Sequence, residues 1–558
     1  MAPITELNNL PTKWVSRRGV LWLLGFIGAA TPILIYMWAF LRYSVNMPAG
    51  DDYDAVLDWL GRFIDSGTIV EKFRLIFEQH NEHRIVFDRL IFLADYAIAG
   101  KINFIYLDVV GALGLFLIFF LLVRIARKSR IPNISVLVLA LLVFNLRQWG
   151  LISFAMASIQ QYWQLLFAMI SLYLLRTCQD KSRLIASIML AVASIFTGAG
   201  GLLTFPIGIL YLIVCEKGSR AIVAWAVVGV AAFLVYFVIL PYHGTTISKQ
   251  SHELLFANPL KALYFILAFL GGYMRKTTPA ILLGGLSLIA FMTILFSRMR
   301  SGLFKDSAFM ATLIGYIILV AIASGISRSE IGLGEALSSR YTIYGLTLLA
   351  LLYIYGLSGA RTWIGNKAII SLGCIASIVL YVSYFWSSIG FLRFENSLQE
   401  RYIVYPYNAR AIDILGEGMR AGYFFPVAIV FSNLPERAKT GLSYKYPIPY
   451  SVDSMMPAPA GLKQEILSSC EFYRSWVWLS DLYFHHNDLK LAYPLNTMSS
   501  YRDFLDWAAT YSDATSPYKL SYSALSGMVG GGPLDLSAFG ADDSVRGIGV
   551  CGAAKVGL

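Results

Sequence analysis

The sequence predicts an all-α polytopic membrane protein of about 11 transmembrane helices (residues 1–391), followed by a soluble extracytoplasmic α+β domain (residues 392–558). Composition predicts the membrane part. Of the 558 residues, 57% are hydrophobic and only 14% are charged, and the mean hydropathy is +0.62. Soluble globular proteins carry about 25% charged residues. The chain therefore has too few charges to cover soluble domains, which excludes a soluble enzyme, a disordered chain and a disulfide scaffold.

The apolar runs give the number of predicted spans. A helix that crosses a bilayer needs about 20 mainly apolar residues. We predict spans in 11 segments: Gly19–Leu41, Phe104–Val123, Ile134–Phe144, Tyr162–Leu175, Leu184–Thr197, Leu202–Cys215, Ala221–Leu240, Pro279–Phe296, Phe309–Ser324, Thr342–Leu357 and Ala368–Ile389. A twelfth run, Ala262–Met274, has only 13 residues and contains Gly271-Gly272, so we predict a re-entrant or interfacial segment.

Basic residues predict the orientation. Six clusters hold 17 Lys and Arg residues, and the acids among them are few: Glu6, Asp180, Glu216 and Asp306. With 11 spans, all six clusters fall on one side of the membrane. Cytoplasmic loops carry an excess of Lys and Arg, so the N-terminus is predicted to be cytoplasmic and the C-terminal domain extracytoplasmic. The net charge of +11 is thus a sign of topology, and it does not indicate nucleic-acid binding.

The first predicted outer loop, about residues 42–101, contains an acidic cluster of Asp51, Asp52 and Asp54 directly after Gly50. Carboxylates this close repel one another, so at least one is expected to have a raised pKa unless a cation is near. Such a group suits a general base or a metal ligand. Alternatively, Asp51 or Asp52 caps a predicted helix over residues 53–64. Both roles can hold at once.

A second polar patch, Glu82-His83-Arg84, precedes a predicted amphipathic helix over residues 85–96 that would lie in the membrane interface. His80 and His83 have a spacing that could bind a metal, but no third ligand is fixed by the sequence. A solvated or substrate-facing patch is the favoured interpretation. We predict no cofactor and leave a divalent metal open.

Four cations on the predicted outer face run against the positive-inside trend: Arg275, Lys276, Arg328 and Arg340. An arginine at the membrane surface can simply extend its head group into water. The alternative is a clamp on the phosphate of an anionic lipid, because guanidinium groups bind phosphate oxygens in pairs. Arg340 is the first choice, since Tyr341 and neighbouring Ser and Thr hydroxyls flank it.

The predicted tail, residues 392–558, mixes a strand-like run over residues 424–431 with Ser, Gly and Pro turns, which indicates an α+β domain. Its two cysteines, Cys470 and Cys551, would share an oxidising compartment. A disulfide and two free thiols are equally compatible with the sequence.

This layout resembles the GT-C superfamily, integral-membrane glycosyltransferases that use polyprenyl-phosphate-linked sugars. The resemblance rests on a first span, an outer loop with the acidic pair Asp51-Asp52, interfacial helices, many further spans and a soluble C-terminal domain. The Gly-Asp-Asp-Tyr-Asp stretch, Glu82-His83-Arg84 and Ser-Ser-Arg-Tyr-Thr at residues 338–342 are most similar to the bacterial Gtr-type glucosyltransferases of O-antigen and other surface glycans. It covers about residues 15–390, and the tail matches no family.

The resemblance implies a glycosyltransferase in a bacterial inner membrane, with its C-terminal domain in the periplasm. A sugar would move from a polyprenyl-phosphate donor to a glycan or lipid-linked glycan acceptor. The catalytic base would be a first-loop acid, with Asp52 favoured over Asp51 and Asp54. Donor phosphate would bind Arg340, then Arg275, Lys276 and Arg328. Substrate would be bound by Glu82, His83, Arg84 and Tyr341.

Two other functions fit the same layout. One is an oligosaccharide ligase that moves a whole glycan from a lipid diphosphate, which would depend less on a first-loop acid. The other is a lipid-linked sugar flippase or polysaccharide exporter, which should carry ionisable residues inside its spans. The predicted partners in every case are membrane lipids and lipid-linked sugars, and nucleic acid is not among them.

Overall fold

The computed structural model describes residues 17–178, 180–358, 363–400, 414, 418 and 421–424. Within these ranges the protein is helical, and the pairings between extended residues are two isolated bridges, His80 with His83 and Ile102 with Phe424. The predicted all-α membrane fold is confirmed at this level. The predicted α+β tail, with Cys470 and Cys551, lies almost entirely outside the described residues.

The helices define the framework on which the loops are held. In chain order they are α1 (Arg17–Tyr43), α2 (Trp59–Asp65), α3 (Ile69–Phe77), α4 (Val86–Ala99), α5 (Phe104–Lys128), α6 (Ser135–Val143), α7 (Ala155–Leu175), α8 (Lys181–Ile195), α9 (Thr204–Val214), α10 (Ser219–Leu234), α11 (Thr246–Ala257), α12 (Pro259–Leu270), α13 (Thr277–Arg300), α14 (Phe304–Arg328), α15 (Leu333–Ala336), α16 (Thr342–Leu357) and α17 (Trp363–Glu400). Short π-helical turns (Tyr53–Asp58, Val235–Ile239) and 3₁₀ turns (Leu146–Leu151, Ala199–Leu203, Ser339–Tyr341) join some of them.

Six helical segments in the described part of the chain are long and apolar enough to cross a membrane: Phe104–Lys128, Ser219–Ile239, Thr277–Arg300, Ser307–Arg328, Ser339–Leu357 and Lys367–Arg393. The other five predicted spans coincide with α1, α6, α7, α8 and α9. Three of these are short, because α6, α8 and α9 have 9, 15 and 11 residues. Six segments thus support insertion into a membrane. The predicted total of 11 spans is not confirmed.

The half-length apolar run forms α12, a helix of 12 residues that ends immediately before Gly271. It pairs closely with α13. A Cβ atom on Gly271 would lie 2.0 Å from the Ala280 carbonyl oxygen, and one on Gly284 would lie 1.9 Å from the Leu267 carbonyl oxygen. Small residues permit such close approach of two helices in a membrane. Gly271 and Gly284 therefore allow the backbones of α12 and α13 to approach this closely.

The centre of the bundle is α7, which packs between α5 and α8. Gly111 of α5 allows this contact, because a Cβ there would lie 2.0 Å from Ser158 Oγ of α7. On the other side, the hydroxyls of Ser171 and Ser187 donate to each other's backbone carbonyls at 2.7 Å, joining α7 to α8. These buried hydroxyls keep their hydrogen bonds within the protein, as an apolar surrounding requires.

Basic clusters meet at one end of the bundle. Lys217 Nζ donates to the Arg176 carbonyl at 3.3 Å, and Lys305 Nζ lies 2.6 Å from Glu216 Oε1. Because α14 runs from Phe304 to Arg328, its C-terminal residue, Arg328, lies at the opposite end of that helix. The loops described below gather at this second end.

The start of the tail packs against the first loop. The predicted domain boundary falls inside α17, which continues to Glu400. Further along the chain, the Ile102 N–H donates to the Tyr423 carbonyl at 2.6 Å, and the buried ring of Phe424 contacts Phe104 with a centroid separation of 5.4 Å. Residues 423 and 424 are therefore part of the membrane domain's core.

Candidate active site

Asp52 holds the first loop to the start of α7. Its carboxylate is fully buried and accepts the backbone N–H groups of Met156 at 2.8 Å, Ala49 at 3.0 Å and Ala155 at 3.3 Å. Ala155 and Met156 are the first two residues of α7, so Asp52 caps that helix from a distance in sequence. Burial raises the pKa of Asp52 to about 7, although the three N–H donors oppose the shift.

Asp51 faces a different environment from its neighbour. Gly50, with φ 54°, turns the chain between Ala49 and Asp51, and the Asp51 side chain is half-buried rather than enclosed. Burial opposes ionisation of Arg340, but Tyr341, Glu335 and Asp51 favour it. Asp51 is therefore less buried than Asp52 and lies within electrostatic range of the predicted arginine clamp. Asp54 lies exposed on the π-helical turn that follows.

A tight turn presents Glu82 and His83. The backbone N–H and carbonyl groups of His80 and His83 bond to each other at 2.8 Å in both directions, and Asn81 between them has φ 50°. Burial lowers the pKa of His80, with the Asp51 carboxylate opposing. Among the described residues, no three His, Cys, Asp or Glu side chains are grouped so that they could hold a metal.

Glu82 and His83 contact Arg328 from the end of α14. Arg328 Nη2 lies 2.9 Å from Glu82 Oε2 and 3.1 Å from His83 Nε2. Thr245 Oγ1 also donates to Glu82, at 2.5 Å. Burial would raise the pKa of Glu82, but the Arg328 charge and the Thr245 hydroxyl hold it below its usual value. Glu82 is therefore an ionised partner of Arg328.

Glu335 bridges two of the predicted phosphate-binding residues, Arg328 and Arg340, which we call the arginine pair. Its Oε1 lies 2.6 Å from Arg340 Nη2 and 3.7 Å from Arg328 Nη1. Both guanidinium groups lie over the ring of Tyr341, that of Arg340 at 5.2 Å and that of Arg328 at 5.8 Å from its centre. Arg328 Nη1 also donates to the Tyr341 hydroxyl. Burial opposes ionisation of Glu335, yet the two arginines keep its pKa below the usual value.

The arginine pair still has unused capacity. A guanidinium has five N–H donors, and the Arg340 Nε is buried without a hydrogen-bond partner in the described part of the chain. Glu82, from the first loop that also holds Asp51, meets Arg328 at the end of α14, and Arg340 lies in the segment that follows α14. The arrangement can hold an anionic group beside a carboxylate that accepts a proton.

Arg84 is predicted to bind substrate, but the structure gives it a structural position. It is buried and donates to four backbone carbonyls: those of Phe77 at 2.7 Å, Pro241 at 2.8 Å, Tyr236 at 3.1 Å and Leu240 at 3.1 Å. It thereby joins the first loop to the end of the π-helical turn at residues 235–239. With four of its five donors used in this way, Arg84 holds the wall of the site together.

Arg275 and Lys276, also predicted to bind phosphate, lie near Arg147, whose Nη2 donates to the Leu337 carbonyl at 2.6 Å in the segment between Glu335 and Arg340. The Arg275 guanidinium lies 4.1 Å from the centre of the Phe391 ring, which stacks on Trp149 at 4.7 Å. Buried Arg147 is its charged neighbour, and burial together with Arg275 lowers the pKa of Arg147 to about 10. Lys276 follows as an exposed residue. Among the four predicted cations, Arg328 and Arg340 are the two that share a described carboxylate, that of Glu335.

Sequence reasoning missed Glu335 and Thr245. Glu335 stands five residues before Arg340 in a short loop, so it could have been recognised as a counter-ion. Thr245 has no such signal, because only the fold brings its loop to Glu82.

The chain matches no protein-family model, no curated protein and no solved structure.

Proposed function

We propose that this protein transfers a single sugar from a polyprenyl-phosphate donor to an acceptor hydroxyl at the extracytoplasmic membrane surface. One observation carries the proposal: Glu335 joins Arg328 and Arg340, and the first loop, which holds the half-buried acid Asp51, contacts Arg328 through Glu82 and His83. A glycosyltransferase with a lipid-borne donor needs a base and a phosphate clamp on either side of the anomeric carbon.

In this mechanism the acceptor oxygen attacks the anomeric carbon, and the bond from that carbon to the phosphate oxygen breaks. The acceptor proton passes to the Asp51 carboxylate, which acts as general base. The electron pair of the broken bond stays on the polyprenyl phosphate. Arg340, supported by Arg328, stabilises the charge that develops there, because fixed cations in a water-poor site act strongly on such charge.

We assign the base to Asp51 instead of the predicted Asp52. Asp52 already accepts three backbone N–H groups and is fully buried, so its carboxylate serves the fold. Asp51 is half-buried, and its carboxylate lies within electrostatic range of His80 and Arg340. Glu82 and His83 contact Arg328 of the arginine pair, where they would also contact sugar hydroxyls.

Transport is the less favoured function, because the charged residues avoid the centres of the spans. In the six segments long enough to cross a membrane, every Asp, Glu, Lys and Arg lies within five residues of a segment end. A transporter needs polar or ionisable groups along its route. The charges of this protein collect instead in loops at the ends of the bundle, which favours chemistry at the surface.

The test compares Asp51→Asn with wild type in membranes supplied with a panel of labelled polyprenyl-phosphate hexoses. Loss of a general base is expected to lower label transfer to glycan by about 10²–10⁴-fold, while the variant inserts and folds normally. Asp52→Asn should instead lower the amount of folded protein, because an amide cannot accept all three N–H groups. Asp58→Asn, at a surface ion pair with Arg62, is the control. Full transfer by Asp51→Asn would refute the assignment.

A further inference from the structure

The two arginines assigned to the donor phosphate are already occupied by carboxylates. Glu335 Oε1 lies 2.6 Å from Arg340 Nη2 and 3.7 Å from Arg328 Nη1, so one oxygen is shared between two guanidinium groups. A phosphate oxygen bound by the arginine pair would stand in this position, since guanidinium binds carboxylate and phosphate with the same donor geometry. Glu335 and a phosphate therefore compete for the same donors.

We propose that Glu335 is an internal competitor that occupies the phosphate position of the arginine pair until a lipid phosphate displaces it. The inference rests on the proposed function for the identity of the ligand, and it adds a residue that sets donor affinity. The site exchanges one anion for another, so that phosphate enters as the Glu335 carboxylate leaves.

The balance of charge favours this exchange. The two arginines contact the carboxylates of Glu335 and Glu82, so two acids already match two cations, and the Asp51 carboxylate lies within electrostatic range of Arg340. A phosphate that joined this set without displacing an acid would add negative charge to a cluster that already has an excess. Like charges in a poorly solvated site repel strongly. Phosphate binding is consequently more favourable when the Glu335 carboxylate moves away.

Glu335 is the carboxylate that can leave. The contacts described for it are with Arg340, Arg328 and the Tyr341 hydroxyl, all members of the clamp. Glu82, by contrast, also accepts the Thr245 hydroxyl from another loop at 2.5 Å. Glu335 lies on the four-residue helix α15, beside the exposed Gly334, where an added methyl group would meet nothing within 4 Å. Because Ala336 and Leu337 are buried, displacement of the carboxylate would be a rotation of the Glu335 side chain toward the open side at Gly334.

Arg328 also makes an unfavourable contact with His83, which a phosphate ligand could relieve. His83 Nδ1 accepts the Ala199 N–H at 3.2 Å, so the ring proton of neutral His83 belongs on Nε2. That nitrogen lies 3.1 Å from Arg328 Nη2, which is itself only a donor. Two N–H groups thus face each other while Glu82 and Glu335 hold Arg328 in place. A phosphate that draws Arg328 away relieves this contact.

The test measures binding and not transfer. The purified full-length protein in nanodiscs is titrated with a polyprenyl monophosphate that carries no sugar, and separately with inorganic phosphate. Glu335→Gln removes the competing charge at constant side-chain size. If Glu335 occupies the clamp in about nine molecules of ten, its removal should tighten binding about 10-fold. Arg340→Gln should abolish binding in either background.

The matched control is Glu330→Gln, which removes one acid from the same loop. Glu330 pairs with Lys261 at 3.5 Å and not with the arginine pair, so less than about a twofold change is expected. Glu335→Asp keeps the charge on a shorter side chain and should give a smaller gain. If Glu335→Gln does not fold, the Glu335→Asp comparison decides, and an unchanged or lower affinity overturns the proposal.

The two ligands separate the sources of phosphate. Tighter binding of the lipid alone supports a membrane-borne phosphate as the ligand, and tighter binding of both supports recognition of the phosphate group itself. Unchanged or weaker binding of both by Glu335→Gln overturns the inference, because Glu335 would then position the arginines for their ligand. If binding tightens as expected but wild type transfers no sugar, the proposed function fails and the phosphate exchange stands.

Discussion

At the scale of single residues, neighbouring acids lie in different environments that the sequence does not distinguish. Asp51 and Asp52 have the same chemistry and lie in the same turn, and each was a candidate for base or cap. What separates them is the N-terminus of α7, about 100 residues later in the chain, whose N–H groups meet Asp52. Tertiary contacts of this kind leave no pattern in the local sequence. The sequence therefore could not show that Asp52 caps α7, and the prediction favoured it as the base.

His83 yields a pH prediction at the same scale. Burial and the Arg328 charge lower the pKa of His83 to about 3 in the folded protein, whereas an unfolded histidine has a pKa of about 6.5. Below that pH the unfolded chain takes up a proton that the folded protein does not. The stability contributed by neutral His83 is therefore present above about pH 6.5 and is lost progressively as the pH falls toward 3.

The measurement is thermal unfolding in detergent between pH 7.5 and pH 5, for wild type and His83→Gln. Asp52 has the opposite effect, because burial raises its pKa, so only the difference between the two curves reports on His83. We expect wild type to lose stability relative to His83→Gln as the pH falls, since wild type alone carries the histidine whose pKa is lowered. His243→Gln, at an exposed position, is the control. Parallel curves for wild type and His83→Gln would contradict the prediction.

At the scale of elements, the apolar runs and the Gly, Pro and polar residues between them predicted where helices lie. They predicted the first and last residues of each helix less accurately. The helices predicted over residues 53–64 and 85–96 correspond to a π-helical turn with α2 and to α4. The π-helical turn itself was not predicted, because it depends on the backbone arrangement around Asp52. The half-length run before Gly271 is a real helix, and its partner is α13. The sequence shows the positions of the glycines, but only the packing of α12 against α13 shows why a side chain would not fit at Gly271 and Gly284.

The contact between α12 and α13 can be tested with adjacent glycines of one helix. A methyl group at Gly284 would meet the Leu267 carbonyl oxygen at 1.9 Å, whereas at Gly285 nothing lies within 4 Å. Gly284→Ala must push the two backbones apart, and overpacking of this kind costs about 1–3 kcal/mol in the free energy of unfolding. Gly285→Ala should be neutral or stabilise by up to about 1 kcal/mol, because alanine favours helix.

Thermal unfolding of the two variants in the same detergent measures the difference. The comparison is well matched, since both changes add one methyl group to consecutive positions of α13. Equal unfolding temperatures for Gly284→Ala and Gly285→Ala would show that the close approach of α12 and α13 is not required for stability.

At the scale of the whole molecule, charge divides the two ends of the bundle. Positive clusters meet at one end, as Lys217 with Arg176 and Lys305 with Glu216 demonstrate. Asp51, Glu82 and the arginine pair gather at the other. Loop position along the chain was enough to predict that acids and arginines share a face. It was not enough to predict which of them pair, because Thr245 and Arg328 reach Glu82 only through the packing of α14 and the loop before α11.

The first loop also depends on a segment far along the chain, which gives the last prediction. The Phe424 ring is completely buried against Phe104, and the preceding Tyr423 carbonyl accepts the Ile102 N–H at 2.6 Å. Phe424→Ala should lower the free energy of unfolding by about 3–5 kcal/mol, and hydrogen exchange of the Ile102 amide should become faster, because the bond to Tyr423 would open more often. Trp386→Ala is the control, since Trp386 is 78% exposed on the surface of α17. Unfolding and hydrogen exchange that are the same in Phe424→Ala as in wild type would mean that residues 421–424 do not support the loop that carries Asp51.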